Sequence, residues 1–188
     1  MALPAHFSER PYATGSLIGC RAFTMTYNNM RLRGPRFPQP MGAGVNQARC
    51  VTPNMSMTIL ALEMDSLWGQ MPEACVKQDC SCGFYAYTHS NGREFESPGR
   101  FNAIIEGFGK CVMGPLGFRC SKMRLLALVM PHLRGEHDPF ATLWDDYGPP
   151  LSLAMGKRVA QNYGIPLFDT YAQAFEEFPL SEWEPESA

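Results

Sequence analysis

Residues 100–130 read RFNAIIEGFGKCVMGPLGFRCSKMRLLALVM, and the fold follows from how this stretch divides. Arg100–Phe108 and Lys110–Met113 carry the β-branched and aromatic side chains of strands, with Gly107 and Gly109 as interruptions. Gly114-Pro115-Leu116-Gly117 is a turn, since proline presets one backbone angle and glycine supplies the freedom beside it. Phe118–Met130 leads back. The segment is a hairpin of two long strands.

Working outward, Leu17–Tyr27 is a strand ending in a turn at Asn28-Asn29. Pro35, Pro38, Pro40 and three glycines make 31–44 an irregular connection, followed by a short strand over Asn46–Thr52 that Pro53 ends. Gly83–Thr88 alternates Phe84, Ala86 and Thr88 against Tyr85 and Tyr87, as a strand does, before a turn at Ser90-Asn91-Gly92. In Ser56–Trp68 the residues Met57, Leu60, Ala61, Met64, Leu67 and Trp68 recur at helical spacing and predict a helix that covers the sheet. Leu151–Tyr163 predicts another helix, stopped at Gly164 with Pro166 beyond, and Thr170–Phe178 a third. The sum is an α+β fold: an antiparallel, strand-rich central sheet with one covering helix and C-terminal helices. Residues 17–180 form a single domain, with an N-terminal arm at 1–16, a long surface loop at 131–150 and an acidic, frayed tail at 181–188.

Composition agrees with one domain, because 188 residues with 45% hydrophobic content bury one core. The 17 glycines and 16 prolines favour turns and short strands over a helical bundle. The longest apolar runs, Leu125–Met130 and Ile59–Leu62, fall far short of the roughly 20 residues that span a bilayer, which excludes a spanning helix and a membrane partner. Pro4, His6, Ser8, Glu9 and Arg10 do not form a signal peptide, and seven cysteines are an odd number for a disulfide framework. Both features predict a reducing compartment, the cytoplasm. Net charge is -2, but residues 1–134 carry 14 Lys/Arg against 8 Asp/Glu, and residues 135–188 carry 2 against 10. A basic body and an acidic tail suit either an acidic partner or mutual complementarity within the chain.

Cys75, Cys80 and Cys82 place three soft ligands within eight residues, and a fourth from Cys50 or His89 completes a tetrahedral zinc site. The spacing departs from the usual knuckle, and a Cys-x-Cys pair sends both thiols to one side only on extended backbone. The competing reading makes Cys50, Cys111 and Cys120 small buried hydrophobes and leaves the other three beside a tight loop. A third makes Cys80 or Cys82 a nucleophile with His89 as its base. His132 and His137, beside Glu136 and Asp138, read as a solvated loop, because Pro131, Gly135 and Pro139 exclude the helix that would align them. Arg31, Arg33, Arg36 and Phe37, with Arg119, Lys122 and Arg124 after Phe118, form a candidate interaction surface for a protein or, less specifically, nucleic acid.

The runs Gly19-Cys20-Arg21-Ala22-Phe23, Arg31-Leu32-Arg33-Gly34, Gly44-Val45-Asn46-Gln47-Ala48-Arg49-Cys50, Cys80-Ser81-Cys82-Gly83-Phe84-Tyr85-Ala86-Tyr87, Glu106-Gly107-Phe108-Gly109-Lys110 and Gly117-Phe118-Arg119 occur in that order. Together they resemble a family of small proteins of actinobacteria and their phages, over roughly residues 17–130, with a weaker echo in 159–166. The resemblance implies a single domain and no catalytic residue. The family tends to carry a histidine just upstream of the Cys-x-Cys, where this chain has Gln70 and its neighbours. The expectation is therefore a phage or actinobacterial accessory protein that binds a host macromolecule, a protein in the first place. The alternatives are a virion assembly component, or a small enzyme that is thiol-dependent or arranges Arg21, Tyr85 and Glu106 like an ADP-ribosyltransferase.

Overall fold

The computed structural model describes residues 10–12, 15–26, 30–34, 39–50, 71–77, 80–88, 100–129 and 152–181. In chain order the elements are β1 (Arg10–Tyr12), β2 (Leu17–Thr26), β3 (Arg31–Arg33), β4 (Asn46–Gln47), β5 (Phe84–Tyr87), β6 (Phe101–Gly114), β7 (Gly117–Val129), α1 (Leu153–Tyr163), β8 (Leu167–Phe168) and α2 (Tyr171–Glu177). This is an α+β fold built on an antiparallel sheet.

The hairpin is its axis. β6 and β7 pair from Asn102 opposite Val129 to Gly114 opposite Gly117. β2 lines the other edge of β6, from Leu17 opposite Gly107 to Phe23 opposite Phe101, and β1 continues that edge opposite Cys111–Met113. On the far edge of β7 lie β5, β4 and β8, of which β8 alone runs parallel to it. β3 pairs with the end of β2. Cys20 opposite Tyr87 then joins β2 to β5, so β6, β2, β5 and β7 close into a ring. Closure at this radius needs residues without side chains. A Cβ on Gly19 would lie 2.7 Å from the Phe118 ring and one on Gly107 2.3 Å from it, and the fully buried Phe118 fills the space they leave.

Alternation along the strands feeds two cores. Phe23, Phe101, Ile105, Met123 and Leu125 meet Val159, Ala160 and Tyr163 of α1 on one face, while Cys20, Ile104, Ala127 and Val129 meet Ala174 of α2 on the other. Ser152 caps α1 by accepting the Met155 N–H, and Gly164 ends it in the left-handed conformation. Thr170 and Gln173 form a capping box on α2. The Tyr163 hydroxyl donates to the Met41 carbonyl and accepts the Leu32 N–H, both at 2.9 Å, tying α1 to the chain around β3.

Several expectations change. Gly107 and Gly109 do not break β6: the ladder bulges between Phe108 and Cys111, Lys110 N–H donates to Ser121 Oγ at 2.9 Å, and the strand runs on. Arg31–Arg33, within the stretch read as irregular, is a strand, because it lies before the first proline and finds an edge on β2. Pairing after Asn46 covers Gln47 only, with a lone bridge from Arg49 to Glu73 beyond it. Arg10–Tyr12 of the presumed arm joins the sheet, where β6 extends past the end of β2. The helix over Ser56–Trp68 and the loop at 131–150 lie outside the described residues; among those residues the helical cover comes from α1 and α2. No helix of the described residues is long and apolar enough to cross a membrane.

Candidate metal centre

The cysteines meet because two irregular segments stack on the edge of β7. Ala48 N–H donates to the Ser121 carbonyl at 2.8 Å, Ala74 N–H to Ala48 and Cys50 N–H to Pro72, each at 2.9 Å. Cys50 and Cys75 are thereby carried to one place. The chain returns at Cys80, whose N–H donates to the Lys77 carbonyl at 3.1 Å, and runs through Cys82 into β5. The four sulfur atoms of Cys50, Cys75, Cys80 and Cys82 lie within 4.8 Å of one another. Cys50 and Cys80 are 3.6 Å apart and Cys75 and Cys82 3.5 Å, all as free thiols. Such a group is of a size to hold one metal ion. Cys82 is buried and the other three are half-buried.

Backbone and a buried cation hold this loop. Val76 adopts φ 50, a left-handed conformation that a β-branched side chain rarely takes, and its N–H donates to Cys82 Sγ at 3.3 Å. Gly83 turns the chain into β5 with φ 120, and a Cβ there would lie 2.8 Å from Arg119 Cγ. Arg119, only 1% exposed, reaches across from β7. Its guanidinium donates to the carbonyls of Cys80, Cys82 and Lys77, the last two at 3.1 and 3.0 Å. One fork thus holds three carbonyls of the loop that carries two of the thiols.

The thiols are not electrostatically alike. Burial and the neighbouring Cys80 raise the Cys50 pKa, and burial raises that of Cys82 despite the Val76 N–H. For Cys75 burial also opposes ionisation, but the Lys77 N–H and the other three thiols together outweigh it and the pKa falls. Cys75 is thus more readily ionised than Cys50 or Cys82. Cys111, pushed up to about 11 by burial, and Cys120, also raised by burial, sit in the core as apolar thiols. Cys50, which the competing reading grouped with them, belongs to the cluster.

No family model, curated protein or solved structure matches this chain.

His89, Arg36, Phe37, His132, Glu136, His137 and Asp138 lie outside the described residues. Arg119 is interior rather than a contact residue, because its fork is turned to the loop carbonyls, and Arg33 is also buried. Arg31 and Lys122 are half-buried, and Arg124, 56% exposed, pairs with Glu106. Arg21 and Glu106 do not converge: Glu106 stands opposite Ile18 and Arg21 opposite Ala103, and residues 18 and 21 of one strand point to opposite faces. Sequence reasoning missed the role of Arg119. The signal was present, an arginine between the apolar Phe118 and Cys120.

Proposed function

We propose that Cys50, Cys75, Cys80 and Cys82 bind one zinc ion, and that the protein so stapled is an actinobacterial or phage accessory protein that acts by binding a host macromolecule, a protein in the first place. The sulfur geometry carries the zinc half. Four thiolates at about 2.3 Å from a tetrahedral ion stand about 3.8 Å from one another. The pairs at 3.6 and 3.5 Å need little adjustment to meet this. Four sulfur ligands leave no open position for substrate, so the ion is structural. Zinc with four thiolates has a net charge of about -2, and the Arg119 cation, held against the same loop, offsets part of it. The ion would fix three segments that reach the sheet through few regular hydrogen bonds.

The binding half is supported by the basic balance of residues 1–134 and by two exposed apolar side chains, Val45 at 62% and Tyr87 at 36% exposure. Elemental analysis of protein purified without added metal is expected to give one zinc per chain. A stoichiometry well below one, or Cys50–Cys80 and Cys75–Cys82 disulfides in non-reducing mass spectrometry, would refute the zinc centre. Affinity purification of the tagged chain from its host tests the binding role, and the absence of a reproducible partner would refute that.

A further inference from the structure

The seven cysteines fall into two groups that meet solvent differently. Cys20, Cys111 and Cys120 are buried in the two cores. In the metal centre Cys50, Cys75 and Cys80 are half-buried and only Cys82 is buried. A small solute therefore reaches sulfur at the centre and not in the cores.

The centre is also built in pairs. Cys50 Sγ lies 3.6 Å from Cys80 Sγ, and Cys75 Sγ lies 3.5 Å from Cys82 Sγ. A disulfide brings its sulfurs to about 2.05 Å, so each pair closes by about 1.5 Å, within the reach of side-chain rotation. Each pair contains at least one half-buried sulfur. Each also ties the segment at 80–82 to a different neighbour, Cys80 to the segment ending at Cys50 and Cys82 to the one containing Cys75. Two such bonds join the same three segments that a single ion joins. The Arg119 fork, which holds the carbonyls of Cys80, Cys82 and Lys77, uses no thiol and is compatible with either state.

We propose that the zinc centre is a peroxide-responsive switch, in which hydrogen peroxide converts the four thiolates into Cys50–Cys80 and Cys75–Cys82 disulfides and expels the ion. This rests on the zinc reading above and adds its regulation. A thiolate attacks one oxygen of the peroxide, the O–O bond breaks, hydroxide leaves and a sulfenic acid remains on sulfur. The paired thiolate then attacks that sulfur, forming the S–S bond and releasing a second hydroxide. Each pair passes two electrons to one peroxide, so two peroxides consume four thiolates and yield two disulfides and four hydroxides. In the second pair the half-buried Cys75 takes the oxygen and the buried Cys82 resolves it. Disulfide sulfur has lost the thiolate charge that binds the metal, and the ion leaves. The segments stay tied, the sheet stays folded, and a dithiol with fresh zinc reverses the exchange.

The test uses the full chain, reduced, loaded with zinc, freed of reductant and treated with hydrogen peroxide from about two equivalents upward. A chromophoric chelator is expected to register about one zinc released per chain. Peptide mapping without reduction should show Cys50–Cys80 and Cys75–Cys82 appearing in step with that release. Cys20, Cys111 and Cys120 should still be alkylated as free thiols once the product is denatured, and dithiothreitol with zinc should restore the loaded form. Cys50→Ser leaves one pair intact and should form Cys75–Cys82 alone; a Cys75–Cys80 bond there would overturn the pairing and the switch with it. Zinc retained under peroxide, release with sulfinic or sulfonic acids in place of disulfides, or a product that takes up no zinc after reduction would each do the same. A reduced chain that binds no zinc at the outset refutes the centre and the switch together. One that binds a single ion and then fails any of these measurements loses the switch alone.

Discussion

Replacing Arg119 by methionine isolates the contribution of the buried fork to the metal centre. The three carbonyls of Lys77, Cys80 and Cys82 would lose a charged donor. Hydrogen bonds to charged groups contribute about 1.5–3 kcal/mol each, so the gross loss is about 5–9 kcal/mol. Methionine fills similar space and needs no desolvation, which returns several kcal/mol. The net loss is about 3 kcal/mol, and it falls on the loop that positions Cys80 and Cys82. Zinc affinity therefore drops about 100-fold, read by competition with a chromophoric chelator. Amide hydrogen exchange over 80–82 should accelerate selectively in the same variant. Arg119→Lys keeps the charge but presents one ammonium instead of a fork, and is expected to recover about tenfold. Wild-type zinc affinity and exchange in Arg119→Met would refute the clamp, and a uniform rise in exchange along β7 would reduce Arg119 to a packing residue.

Phe118→Ala empties the space that Gly19 and Gly107 leave inside the strand ring and should lower unfolding stability by about 3–5 kcal/mol in urea denaturation; a loss under 1 kcal/mol would mean the ring collapses freely. Tyr163→Phe strips the Leu32 N–H and the Met41 carbonyl of their shared partner, for about 1–3 kcal/mol, with hydrogen exchange at Leu32 as the local reporter. Alkaline pH tests the buried thiols. Burial raises Cys20 from 9.0 to about 12 and Cys111 to about 11. The unfolded chain therefore releases protons first, and stability is full below pH 9 and declines toward pH 12. Cys20→Ala should flatten that decline, and an unchanged profile would discount Cys20 as its source.

The long apolar stretches of 100–130 were legible as a hairpin because strand patterning is local and the turn residues have one conformational use. The end of α1 was legible for the same reason, with Gly164 as a left-handed cap. The bulge was not, since Gly107 and Gly109 signal an irregularity without saying whether the ladder stops or slips past it. β1 and β3 were missed because three residues carry no periodicity of their own; each is a strand only by virtue of the edge it finds on β6 or β2.

The cysteine centre divides along the same line. Chain spacing alone determined that Cys75, Cys80 and Cys82 are close, because eight residues cannot carry them far apart, and left Cys50 and His89 open as the fourth. Tertiary structure brought in Cys50, since the hydrogen bonds from Ala48 to β7 and from Ala74 to Ala48 bring a distant segment within sulfur contact. It also turned Arg119 inward. Composition counts an arginine as surface charge, but three carbonyls converging beneath a loop make the interior its better solvent.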